Sequence, residues 1–285
     1  MPELAYVNGK YGPIEEAVVS IDDRGYQFGD GVYEVLYVFG GRLFLFDEHL
    51  VRLKMSLDGI AIRGVDMDEV RAVMIEMVAR SGFDRAKLYY CVTRGVAPRN
   101  HPYPAGVKPS IHATIRPVTP PPSEEIAKGL RAVTIADFRW GRCDLKTLNL
   151  LGNVLAKQQA LDSGFDEAIF YGPDGVVREA TAANAFAVDG GVVYTYPLGP
   201  HILPGITRDL VMKLGREIGV PIREEGLTLD KFRRADEVFL TGTTAELIAI
   251  TQLDGETVGS GGTGPVTTRL RAAYDQYVES FLASA

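Results

Sequence analysis

The chain opens with short apolar runs at residues 4–9 (LAYVNG) and 16–21 (EAVVSI), set around Asn8-Gly9 and Gly12-Pro13, a pattern that predicts strands joined by tight turns. Gly25, Gly29 and Gly31 mark further tight turns. Apolar and polar positions then alternate through residues 32–39, stop at Gly40-Gly41 and resume over 42–46, as in a β-hairpin. Tyr33 and Tyr37, four apart, share one face of its first strand. The period then lengthens. Asp47-Glu48-His49 opens a helix to Leu57 with His49, Arg52 and Ser56 at helical spacing, a place where a histidine usually caps or packs. A second helix spans residues 67–81, with Val70, Val73, Met74, Met77 and Val78 as its apolar stripe and Gly82 as its stop. Residues 87–93 and 110–116 read as strands.

The run Pro117-Val118-Thr119-Pro120-Pro121-Pro122-Ser123 is the strongest linker signal, because proline stiffens the chain and gives no ladder hydrogen bond. It predicts a smaller N-terminal α+β domain at 1–118, a Pro-rich linker at 119–123 and a larger domain at 124–285. Beyond it come a strand at 129–135, a loop at 137–146, and a helix at 147–163 with Thr147 as cap, Leu148, Leu151 and Leu155 as stripe and Gly164 as stop. Strands follow at 167–171, 176–180, 184–188 and 192–196, then a helix from Ile206-Thr207 to Gly219, a strand at 237–241 and a terminal helix at 265–282.

A length of 285 residues suits two domains, and 46% apolar with 24% charged residues suits a soluble globular protein. The formal charge of -7, with Lys and Arg scattered, speaks against a nucleic-acid surface and leaves small molecules as the expected partners. No apolar run has the length to cross a bilayer, and MPELAYVNGKYG lacks a leader pattern, so no membrane partner is expected. Cys91 and Cys143 are expected as reduced thiols in a cytoplasmic protein. No metal is expected, since the histidines are scattered and the cysteines lack zinc spacing. P-loop and Gly-x-Ser-x-Gly signatures are absent, and GSGGTG at 259–264 matches a dinucleotide fingerprint only formally, with no βαβ unit after it.

What remains is a short set of chemically suggestive positions. Lys146 stands at the mouth of the expected 147–163 helix. Gly205-Ile206-Thr207 opens another helix, where free amides and the dipole favour an anion, and Gly242-Thr243-Thr244 sets hydroxyls beside exposed amides. Glu179 is a lone acid between a strand and the small-residue turn Ala180-Thr181-Ala182-Ala183. Arg99 and His101 sit on a loop stiffened by Pro98, Pro102 and Pro104, which reads equally as a carboxylate clamp and as a solvated basic loop. An amine, a carboxylate for a ring nitrogen and a phosphate cup are what pyridoxal 5'-phosphate (PLP) requires.

The segments DRGYQFGDGVYEV, EHLVRL, TRGVAPRNHPYP, RWGRCDLKTLNLLGNVLAKQQA, VREATAANAF, ILPGITRD and FLTGTTAEL, in this order, resemble the fold-type IV PLP enzymes over essentially the whole chain. Within that family the D-amino-acid aminotransferases are most similar, through CDLKTLNLLGNVLAKQ and the pair Arg99 and His101. The resemblance implies an α+β protein of two α/β domains with the cofactor at their interface, acting as a homodimer. It implies that Lys146 is the Schiff-base lysine and proton shuttle, that Glu179 pairs with the pyridine nitrogen, and that Leu203 lines the ring. Arg52, Thr244 beside Thr243, and the amides of Ile206 and Thr207 beside Gly205 would hold the phosphate. Tyr33, Arg99 and His101 would trap the substrate carboxylate, the last two across the subunit interface. The family's glycine and serines after the glutamate are here Ala180, Thr181, Ala182 and Ala183, so Thr181 offers a hydroxyl to the cofactor and Ala182 none. The activity implied is ping-pong transfer of an amino group from D-amino acids such as D-alanine to 2-oxoglutarate or pyruvate. Alternatives are an (R)-selective amine transaminase, a branched-chain aminotransferase or aminodeoxychorismate lyase, and a non-catalytic PLP-binding protein.

Overall fold

The computed structural model describes residues 3–120 and 123–284, so Pro121 and Pro122 of the expected linker lie outside the described residues. Two units are present, Met1–Thr119 with Leu145–Asn149, and Pro120–Asp144 with Leu150–Ala285. The segment around Lys146 therefore departs from the expected 124–285 domain and belongs to the first unit.

In the first unit the chain forms β1 (Leu4–Val7), β2 (Lys10–Pro13), α1 (Arg24–Phe28), β3 (Gly31–Phe39), β4 (Arg42–Leu43), α2 (Phe46–Gly59), α3 (Met67–Ser81), β5 (Arg85–Thr93) and β6 (Ser110–Pro117). The strands make an antiparallel sheet in the order β2-β1-β6-β5-β3-β4. Alternation along β3 sends Val32, Glu34, Leu36 and Val38 to one face, where the three apolar ones join Leu53 and Leu57 of α2 and Val70, Met74 and Met77 of α3 in one core. Glu34 is thus carried into the interior by register. The expected 42–46 return strand shrinks to two residues, which leaves the start of β3 without a neighbour on that side. Residues 145–149 take the vacancy: Tyr33 N–H donates to the Lys146 carbonyl (2.9 Å) and Leu148 N–H to the Gly31 carbonyl (3.0 Å).

Two further expectations fail for related reasons. The apolar run 16–21 is no strand; Ile14–Glu16 is a 3-10 turn, and Val18 and Ile21 stay 79% and 76% exposed. The helix expected at 147–163 starts at Leu151, because Thr147 is bridged to Val32 and cannot cap it.

The second unit holds α4 (Ser123–Lys128), β7 (Leu130–Ala136), α5 (Leu151–Asp162), β8 (Glu167–Tyr171), β9 (Val177–Ala180), β10 (Asn184–Asp189), β11 (Val192–Thr195), α6 (Ile206–Glu217), β12 (Ile222–Glu224), α7 (Leu229–Arg233), β13 (Glu237–Gly242), β14 (Glu246–Leu253), β15 (Glu256–Thr257) and α8 (Pro265–Ala283). Its mixed sheet runs β12-β11-β10-β13-β14-β7-β8-β9, and β9 meets β10 again, so the path from β10 to β9 closes on itself. Ala132, Ala185, Ala187, Val238, Leu240 and Ile250 belong to one buried cluster of this closed sheet, and the small residues permit its tight curvature. Helices α6 and α8 pack together at Gly215, where a Cβ would come within 3.0 Å of the Leu270 side chain. Closure sets Glu179, Asn184 and Thr241 side by side at one end, as direct cross-strand partners.

Candidate active site

In the first unit Lys146 is fixed by its backbone. Its N–H donates to the Ser56 hydroxyl (3.1 Å) and its carbonyl serves Tyr33, while Leu145 fills a site that only Gly59 permits, a Cβ there falling 2.4 Å from the Leu145 side chain. The half-buried amine lies 4.3 Å from the centre of the Tyr33 ring and, among the described residues, has no hydrogen bond or ion pair. An amine held in place but uncommitted is what a reacting lysine requires.

In the same unit His49 and Arg52 share a partner that the sequence analysis did not name, Glu34. Arg52 donates to both oxygens of Glu34, from Nε at 2.8 Å and Nη2 at 2.7 Å, and His49 Nδ1 stands 2.6 Å from Glu34 Oε2. All three are buried. Burial alone would raise the Glu34 carboxyl, but the Arg52 guanidinium and then His49 outweigh it and hold it at about 2. Burial lowers His49 further than Glu34 raises it, so the imidazole is neutral and the charges of Glu34 and Arg52 balance each other. The signal was the inward register of position 34, where a carboxylate demands a cation.

Arg99 and His101 are exposed and gather on Phe28, at 4.8 Å and 5.6 Å from its ring centre. Among the described residues neither makes a hydrogen bond or ring contact with Tyr33 or Lys146.

In the second unit Glu179 is the centre. Its carboxylate accepts from Arg139 Nη1 (2.6 Å), Asn184 Nδ2 (3.1 Å) and Leu203 N–H (2.9 Å), and Asn184 also donates to the Leu203 carbonyl (2.9 Å). Arg139 is held in turn by Asp137, with Nη2 at 2.8 Å, and rests on the Phe170 ring at 4.3 Å. Burial raises the Glu179 carboxyl by more than Arg139 lowers it, so the group is primed to gain a cationic partner. Gly205 abuts this cradle, with a Cβ there only 1.9 Å from Asn184 Oδ1, and the first-turn amides of Ile206 and Thr207 have no partner within α6. The turn at Thr243 and Thr244 is close by, since a Cβ on Gly242 would lie 3.2 Å from the Ala182 carbonyl.

Thr181 corrects the sequence reading. Its hydroxyl donates to Glu167 Oε1 (2.5 Å), whose other oxygen takes Lys157 Nζ (2.9 Å), and Asn153 donates to the Thr181 carbonyl (2.7 Å). The hydroxyl braces the turn after Glu179 and has no proton left for a ligand. Among the described residues no cluster suits a metal ion, and no helix is long and apolar enough to cross a membrane.

Taken unit by unit, the first offers an amine without hydrogen bond or ion pair among the described residues, and the second a cradled carboxylate beside first-turn helix amides, the donor types that an aldehyde cofactor with a ring nitrogen and a phosphate calls for. The chain is 43% identical over 277 residues to a D-alanine aminotransferase of Bacillus licheniformis, covering 96% of each protein. It is 39% identical over 280 residues to one from Staphylococcus aureus strain MW2, covering 98% of this chain and 99% of that protein. Among solved structures, the T.th. branched-chain amino acid aminotransferase with pyridoxamine 5'-phosphate superposes with a TM-score of 0.90 at 28% identity, covering 96% of this chain and 93% of the other. The Escherichia coli branched-chain enzyme also reaches 0.90, at 27% identity, covering 97% and 94%. Residues 31–253 match the amino-transferase class IV family, and the chain belongs to that family, the fold-type IV aminotransferases.

Proposed function

We propose that this aminotransferase moves the amino group of D-amino acids, D-alanine among them, to 2-oxo acids such as 2-oxoglutarate or pyruvate. The observation that carries the reading is the near full-length likeness to D-alanine aminotransferases of two bacterial genera. The cofactor is PLP, which when bound supplies an aldehyde for an amine to condense with and a ring that accepts electrons. Lys146 is the reacting amine, and its Nζ takes the proton from the substrate α-carbon and returns it in the reverse half. Glu179, oriented by Arg139, Asn184 and the Leu203 amide, faces the ring nitrogen. Arg52, the amides of Ile206 and Thr207, and the Thr243-Thr244 turn hold the phosphate. Donor and acceptor use the site in turn, in a ping-pong scheme. The active form is a cytoplasmic homodimer, in which Arg99 and His101 serve the partner's site.

The cradle makes one substitution informative. Gly205→Ala would force Asn184 off both Glu179 and the Leu203 carbonyl, and losing hydrogen bonds of this charged kind should weaken PLP retention roughly 10- to 100-fold, measured as cofactor release on dialysis.

The rival closest in chemistry is an (R)-selective amine transaminase. Arg99, with no ion pair among the described residues, favours a donor that brings its own carboxylate. Arg99→Ala should lower kcat/KM for D-alanine roughly 10- to 100-fold while an (R)-arylalkylamine changes by less than about threefold. Equal losses for both donors would reject the acid-binding role.

A further inference from the structure

The loop bearing Arg99 and His101 is anchored through its backbone. Arg24, with its side chain 4% exposed, donates from Nε to Asp30 (2.8 Å) and from its terminal nitrogens to the carbonyls of Asn100 (2.6 Å) and His101 (3.2 Å). Asp30 also accepts from Arg94 Nε (2.8 Å), whose remaining nitrogens donate to the carbonyls of Ala61 and Ile60. The loop base is thereby tied to α1 and to the end of α2.

Phe28, the last residue of α1, faces this loop. The Arg24 guanidinium lies 4.7 Å from its ring centre, that of Arg99 4.8 Å and the His101 ring 5.6 Å. The two guanidinium groups differ in one respect: Arg24 is ion-paired with Asp30, which it shares with Arg94, whereas the Arg99 side chain has, among the described residues, no carboxylate and no hydrogen-bond acceptor. The Phe28 ring is what it packs against. A long side chain on an exposed loop would otherwise sample many rotamers, and ordering it on binding weakens binding. A ring face restrains the guanidinium without occupying its N–H donors, which stay available to two carboxylate oxygens.

Resting on the assignment of Arg99 to the substrate carboxylate, we infer that Phe28 is a positioning residue for substrate specificity: its ring presets Arg99 and His101 for an acid, while Arg24 fixes the backbone that carries them. The alanine moiety never needs to touch Phe28. Its contribution therefore falls on binding of the donor and leaves the chemical step alone.

The test is steady-state kinetics of the holoenzyme with D-alanine and 2-oxoglutarate. Phe28→Leu should raise KM for D-alanine roughly 2- to 30-fold with kcat held within about twofold, and Phe28→Tyr, which keeps the ring, should restore the parent KM. In an Arg99→Ala background Phe28→Leu should cost less than it does in the parent, since only the His101 contact is then left to lose. Phe28→Met serves the same purpose if the leucine variant loses cofactor or thermal stability. A parallel fall in kcat, a tyrosine variant as impaired as leucine, or multiplying effects in the double variant would each overturn the inference. If Arg99→Ala alone leaves KM for D-alanine unchanged, the carboxylate role of Arg99 fails and the inference with it; an Arg99 effect without a Phe28 effect rejects Phe28 alone.

Discussion

Lys146→Ala is expected to abolish transamination, with on the order of 10²- to 10⁴-fold lost from proton transfer alone and more from the missing amine. The reason lies in how the residue is held. Its backbone is pinned to β3 and to Ser56, yet its amine, 4.3 Å from the centre of the Tyr33 ring, has no hydrogen bond or ion pair among the described residues. Removing the side chain takes away no anchoring contact, so the variant should fold and melt nearly as the parent does. Lys146→Arg is the sharper control. It keeps a cation by Tyr33 but cannot give up its proton, so it should be as inactive as alanine. Rates within about tenfold of the parent for the arginine variant would show that charge alone was required, against the assignment.

The second large effect is on stability. Glu34→Ala leaves Arg52 buried without its carboxylate, and breaking a buried pair in this way costs about 3–5 kcal/mol, or roughly 6–20 °C in Tm. The pH dependence follows from the sign of the shift. Glu34 sits at about 2 in the folded chain against an ordinary value of 4.5, so its contribution is complete above about pH 4.5 and is lost as pH falls toward 2. The Tm gap between parent and variant should therefore be widest near neutrality and narrow across that window. A gap that is constant with pH would mean that the carboxylate acts through packing only. Replacing Glu34, His49 and Arg52 together with apolar residues of similar volume should recover much of the loss, since each buried ion is then removed with its partner.

Much of the architecture could be read from spacing. The stripe Val70, Val73, Met74, Met77 and Val78 predicts α3, whose bounds are Met67–Ser81, because an amphipathic helix writes its period directly into the chain. What could not be read depended on contacts distant in sequence. Local composition starts the helix after Lys146 at Thr147, a good cap, but a β-bridge to Val32 claims that residue. Residues 16–21 have strand composition, yet nothing local says that Val18 and Ile21 face outward. At the candidate site, Lys146 and Glu179 were visible as residue types out of place, whereas the groups that orient them were not. Arg139 lies far from Glu179 along the chain, and only closure of the second sheet lets it, Asn184 and the Glu167–Thr181 pair gather around that carboxylate and its turn. Thr181 shows the cost of reading roles without partners: its hydroxyl is real, but Glu167 holds it.

The most direct test of the central claim is an initial-rate comparison of D-alanine and L-alanine as amino donors to 2-oxoglutarate, with pyruvate formation followed in the PLP-loaded enzyme. Rapid pyruvate release from D-alanine, with little or none from L-alanine, is the result expected here. Preference for L-alanine, equal rates for the two enantiomers, or turnover confined to amines without a carboxylate would contradict it.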